Sequence, residues 1–177
     1  SKSARGFGTD SKMYAYAFGW RFVNPKMHNL YGTDAMGNTA ENLVGLYGIS
    51  REDQDAFAYS SQMKAARAQE NGRLAEEISP VAIPQRKKGD LIFSLDEFVK
   101  PNSSLEILGK LRPAFKKEGG SVTAGNSSGL NDGAAALLMA SEDGIKANRL
   151  TPLARIVSSG VAGVEPRIMG IGPVYAS

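Results

Sequence analysis

The stretch that most constrains how this chain can fold is the run SVTAGNSSGLNDGAAALLM over residues 121–139. It reads as a short strand, a tight turn of small residues, and a helix opening at Asn131 or Asp132. Serine, asparagine and glycine allow turn geometry and close backbone approach. Asp132 suits an N-cap, and the Ala, Leu and Met residues after it propagate a helix with almost no polar side chain. A helix apolar on nearly every side has to be buried. The turn before it is then a small-residue wall held against a core, suited to a narrow ligand or to a plain strand-to-helix connection.

Composition narrows the function classes. The chain has 177 residues, 42% hydrophobic and 22% charged, ordinary values for a globular protein. That length is enough for one domain and marginal for two. No run is apolar enough to cross a membrane and no secretory leader opens the chain, so a cytoplasmic location is the default. With no cysteine there is no disulfide, thiolate metal site or cysteine nucleophile within these residues, and the one histidine, His28, excludes a two-histidine metal site. A formal charge of +3 favours an anionic ligand but does not point to nucleic acid.

Local signals divide the rest. Residues 1–10 are small, polar and without periodicity, and residues 13–22 are aromatic-rich, with period settling neither helix nor strand. MGNTAENL at 36–43 starts a helix capped by Asn38 or Thr39, and Gly48 stops it. ISREDQDAFA at 49–58 starts a second, with Ser50 as N-cap and Glu52, Asp53 and Asp55 at the positive end of the helix dipole. That helix is expected to run to about Glu70, to end at Asn71 and Gly72, and to bury Phe57, Ser61, Ala65 and Ala68. Residues 76–84, with two prolines, predict an edge-type strand, and 91–93 a second, joined by the basic turn 86–90. Ser103 and Ser104 cap a short helix with Leu105, Leu108 and Leu111 near one face. Residues 141–148 predict a short helix or turn, 151–159 a strand, and 165–173 a glycine-proline loop.

Several segments carry a family resemblance in a consistent order. VTAGNSSGLNDGAAA at 122–136, MGNTAEN at 36–42 followed by SREDQDAFA at 50–58, the spacing Leu108-x-x-Leu111-x-Pro113-x-Phe115, and PLARIV at 152–157 followed by MGIGP at 169–173 resemble the thiolases. GWRFVNP at 19–25 is similar to the branch acting on 3-oxoadipyl-CoA, and Ala35 stands where some relatives carry histidine.

The resemblance implies an α/β fold, a thiolase-like loop domain plus part of the αβαβα core layers. It divides the chain into a poorly defined N-terminal segment (1–18), the loop domain (19–120), a returning strand-turn-helix of the first core domain (121–150) and the first strand and loop of the second (151–177). It implies acyl-CoA or coenzyme A as substrate, no separate cofactor, no metal, and a homo-oligomer, dimer or tetramer. Met36 matches a residue near the thioester end of the acyl-CoA. Phe115 matches one whose ring packs near coenzyme A, and Lys100 a basic residue near the nucleotide. Ala124 and Ser128 match positions that bind the pantetheine arm through a backbone carbonyl and a hydroxyl. Thiolase chemistry needs a nucleophilic cysteine, a histidine and a second cysteine, and none of those motifs occurs here. The expectation is therefore the middle portion of a thiolase, with no catalytic residue of its own and inactive alone. The alternatives are a non-catalytic module that holds coenzyme A and a module for oligomerisation.

Overall fold

Two helices and a long returning segment make the frame that positions the site. The computed structural model describes residues 20, 22–86 and 88–177. The expectations for residues 1–18, and most of the aromatic run, lie outside the described residues. Helix α1 is Pro25–Tyr31, with the Asn24 side chain accepting from the Lys26 N–H and proline at the first helical position. That N-cap and proline pair is a helix start signal the sequence reading passed over.

Helix α2, Met36–Tyr47, begins at an Ala35 cap with no side-chain bond, earlier than the predicted caps. Thr39 instead turns its hydroxyl back onto the Met36 carbonyl at 2.7 Å. The helix stops at Gly48, which takes the left-handed conformation (φ 63°) that glycine adopts without a Cβ clash. Helix α3, Arg51–Glu70, is capped by Ser50, whose hydroxyl accepts from the Asp53 N–H, and it carries Glu52 and Asp53 in its first turn.

The face that α3 presents differs from the predicted one. Phe57 is 79% exposed and Ser61 is exposed, whereas Asp55 is the buried residue. The docking face is polar. Arg51, Gln54, Asp55, Gln62 and Gln69 each hydrogen-bond to the segment between residues 96 and 126. Helical period still sets the face, but hydrogen bonds rather than apolar burial hold it.

Strands β1 (Val81–Ile83) and β2 (Leu91–Phe93) pair antiparallel, Ala82 opposite Ile92, as an exposed two-stranded hairpin. The first is shorter than the predicted 76–84, as expected of a strand between two prolines that cannot donate. Helix α4 is Leu105–Gly109, capped by the Ser104 hydroxyl. Of its three predicted face residues, Leu108 is buried, Leu111 half-buried and Leu105 exposed. Leu108 and Val122 are the buried apolar residues, with Thr123 fully buried beside them.

Past residue 128 the chain departs from expectation. Residues 128–140 form no helix, with Leu137 at 92% and Leu138 at 82% exposure, and 151–159 form no strand, with Leu153 fully exposed. An all-apolar helix gains its stability from burial, and an isolated stretch shorter than about 12–15 residues does not hold helix on propensity alone. The predicted short helix or turn at 141–148 is helix α5, Glu142–Asn148, capped by Ser141. The expected loop 165–173 is instead a 3-10 turn, Pro166–Ile171, running into helix α6, Gly172–Ala176. That turn packs on α2, where Gly170 lets the Leu43 side chain approach closely.

Candidate functional site

The loop after residue 120 is fixed by a buried polar network. Glu41, on the inner face of α2, accepts with one carboxylate oxygen from both Ser121 N–H (2.9 Å) and Val122 N–H (2.8 Å). From α3, the Gln54 amide donates to the Ser121 hydroxyl at 2.9 Å. Asp55 divides its carboxylate: one oxygen takes the Arg51 guanidinium at 2.8 Å, the other the Asn126 side-chain amide at 3.0 Å. Arg51 also donates to the carbonyls of Leu108 and Leu111, fastening α4 to the same helix.

Inside the loop, Asn126 bonds three ways. Its side-chain oxygen accepts from Thr123 N–H at 2.7 Å, and its amide donates to the Ser121 carbonyl as well as to Asp55. The Thr123 hydroxyl accepts from Gly125 and Asn126 N–H. Among the described residues no buried side-chain polar atom lacks a partner. Satisfied networks of this kind rigidify what they hold.

Of the five predicted site residues, Ala124 and Ser128 belong to this stretch, and Phe115 and Lys100 reach it through neighbouring residues. Ala124 and Ser128 are both exposed on its rim. Phe115 is half-buried with its ring against Gly37, in the first turn of α2, where a Cβ would overlap the ring. Met36, exposed, precedes Gly37 in the same turn. The Ala114 N–H donates to the Val122 carbonyl at 2.9 Å, tying the Phe115 strand of chain to the loop. Lys100 is exposed, its ammonium 5.6 Å from the centre of the Phe98 ring, and the edge of that ring packs on Gly129. Lys100 thus stands one ring away from the residue after Ser128. A cation over an aromatic face keeps its charge while being localised by the ring.

Glu41, Asp55, Asn126 and Phe98 were missed in the sequence. A signal existed for the α3 members: Arg51, Asp55 and Gln62 recur at helical spacing on a helix whose apolar stripe is narrow. Nothing in the local sequence marks Glu41 as the partner of residues about 80 positions later.

A separate cleft of about 890 Å³ lies between α1 and the 3-10 turn, lined by His28, Tyr31, Asp34, Glu165 and Arg167 among others. It contains none of the five candidate residues. Asp34 is held there by the Asn42 side chain and by the Arg167 guanidinium, each at 2.9 Å. Those hydrogen bonds, Asn42 first, keep its carboxyl below the usual carboxylate range. Among the described residues no cluster of His, Asp or Glu could hold a metal ion, and no helix is long and apolar enough to cross a membrane.

The chain as a whole is similar to known proteins. The thiolase N-terminal domain family matches residues 13–143, and the chain belongs to the thiolase family. It is 49% identical to the beta-ketoadipyl-CoA thiolase of Acinetobacter baylyi over 175 residues, covering 99% of this chain and 43% of that protein. To the 3-oxoadipyl-CoA/3-oxo-5,6-dehydrosuberyl-CoA thiolase of Escherichia coli it is 51% identical over 176 residues, 99% of this chain and 44% of the relative.

The crystal structure of the Bacillus anthracis acetyl-CoA acetyltransferase superposes with a TM-score of 0.74 at 51% identity, covering 79% of this chain and 35% of the other. Human mitochondrial 3-ketoacyl-CoA thiolase gives 0.72 at 48% identity, covering 80% and 35%. The fold is therefore the thiolase-like α/β fold named from the sequence, and the chain spans less than half the length of these relatives.

Proposed function

We propose that this chain supplies the coenzyme A-binding part of a thiolase that converts a 3-oxoacyl-CoA and coenzyme A to acetyl-CoA and a shortened acyl-CoA, or runs the reverse condensation. The observation that carries the reading is the pinned loop 121–126, which leaves Ala124 and Ser128 exposed on its rim, with the Phe98 ring against Gly129 and Lys100 over that ring. A preformed backbone site binds with less ordering loss. In this reading the Ala124 carbonyl and the Ser128 hydroxyl take the pantetheine arm, Phe115 packs against it, Met36 stands by the thioester, and Lys100 meets a phosphate as a point charge.

The relatives' names favour a 3-oxo acid with a second carboxyl group as acyl part. Coenzyme A is substrate rather than resident cofactor. Without cysteine, and with His28 in the separate cleft, these residues bind rather than cleave, and thiolysis needs a nucleophile from outside them. The setting is cytoplasmic and the assembly a homo-oligomer.

Calorimetric titration of the chain with coenzyme A tests this directly. Saturable binding weakened about five- to tenfold by Ser128→Ala, the loss of one hydrogen bond, is expected. No heat of binding in the native chain overturns it. The second reading, an oligomerisation module, is favoured by the exposed apolar residues Leu137, Leu138 and Leu153. Self-association without coenzyme A binding would select it.

A further inference from the structure

We propose that Glu41 and Asp55 are positioning residues that hold the loop 121–128 in its ligand-binding shape before any ligand arrives. The proposal rests on the coenzyme A reading above. Residues 121–128 are serine, threonine, glycine, alanine, asparagine and valine, a composition that on its own fits many backbone conformations. What selects one is the pair of carboxylates reaching it from different helices.

Glu41 takes two consecutive backbone N–H groups at the loop entrance, Ser121 and Val122, on a single oxygen. A carboxylate buried as Glu41 is must be hydrogen-bonded, and here its partners are the loop's own backbone, so dislodging the loop would strand the charge. Asp55 acts further along. It orients the Asn126 amide, and Asn126 in turn closes the turn onto Thr123 N–H and the Ser121 carbonyl. Arg51 holds the other Asp55 oxygen, which fixes which way the carboxylate faces. With residues 121–123 buried and their side-chain polar groups engaged, the rim is what remains to meet a ligand. Both carboxylates act on that rim through the loop.

The test pairs hydrogen exchange with coenzyme A titration on the 177-residue chain. In Glu41→Ala the amides of 121–126 are expected to exchange at least about tenfold faster, while those of α2 and α3 keep their protection. Coenzyme A affinity falls about tenfold by the same lost interaction, and Glu41→Gln, which keeps the accepting oxygen, restores most of both. Ser128→Ala separates contact from positioning, since it lowers affinity and leaves exchange unchanged.

Should Glu41→Ala lose its helical circular dichroism, Asn126→Ala interrogates the same clamp from the loop side, away from the helices. Unaltered exchange at 121–126 in whichever variant stays folded overturns the positioning role. Absence of coenzyme A binding in the native chain overturns the ligand reading instead, with the exchange result still deciding whether the clamp exists.

Discussion

Replacing Gly37 by alanine sets two known effects against each other at one position. In an α-helix, alanine is favoured over glycine by up to about 1 kcal/mol. At Gly37, however, the added Cβ would overlap the inner atoms of the Phe115 ring, so the whole ring has to move rather than a flexible tip. Overpacking of that kind costs about 1–3 kcal/mol. The balance is a net loss of up to about 3 kcal/mol, read as a drop in melting temperature of up to about 12 °C for a chain of this size.

Gly45, in the same helix, supplies the control, because nothing lies within 4 Å of the position a Cβ would take there. Gly45→Ala therefore keeps only the propensity gain and is expected to raise stability by up to about 1 kcal/mol. The double variant Gly37→Ala with Phe115→Ala removes the clash, giving a coupling of about 1–3 kcal/mol in a double-mutant cycle. Thermal melts followed by circular dichroism measure each variant beside the native chain. If Gly37→Ala stabilises as much as Gly45→Ala, the ring does not sit on that turn.

The Asp34 carboxyl, held below its usual range by Asn42 and Arg167, stabilises the fold above the ordinary carboxylate pKa and loses that contribution as pH falls through the depressed value. With the Arg167 side chain 59% exposed, solvent screening limits the effect. Asp34→Asn is expected to lower stability by about 0.2–1 kcal/mol at neutral pH, a difference that shrinks in denaturant titrations as acid protonates the carboxyl. A difference that grew in acid would reverse the sign of the argument. For the exposed apolar stretch, Leu137→Asp with Leu138→Asp is expected to abolish concentration-dependent self-association in sedimentation velocity, and native-like association in that variant would place the sticky surface elsewhere.

Local chemistry in the sequence was a good guide wherever local chemistry decides structure. Ser50 and Ser104 each cap the helix predicted after them, Gly48 ends α2, and the proline-flanked hairpin pairs. Where the outcome depends on distant partners the reading failed. The run at 134–139 has every helical propensity and stays exposed, because propensity supplies too little without a buried face. The α3 face was misjudged because an apolar stripe was sought where Arg51, Asp55 and Gln62 do the docking. Of the candidate site, Ala124 and Ser128, carried over by resemblance, lie on one loop, with Phe115 and Lys100 near it through Ala114 and Phe98. The carboxylates that shape that loop were invisible, since their partners lie 71 to 81 positions further along.

That separation orders events during synthesis. Glu41 and Asp55 leave the ribosome well before the backbone they hold, and at about 5–20 residues per second the interval for some 80 residues is about 4–16 s. Throughout it, α2 and α3 have local hydrogen bonds to form, while Glu41 has only water. The loop arrives after both helices, into partners already in place, and closing so long a stretch of chain is the slow kind of contact. The loop 121–126 thus matures after α2 and α3, and a nascent chain halted before residue 121 would display helices with an unfilled socket.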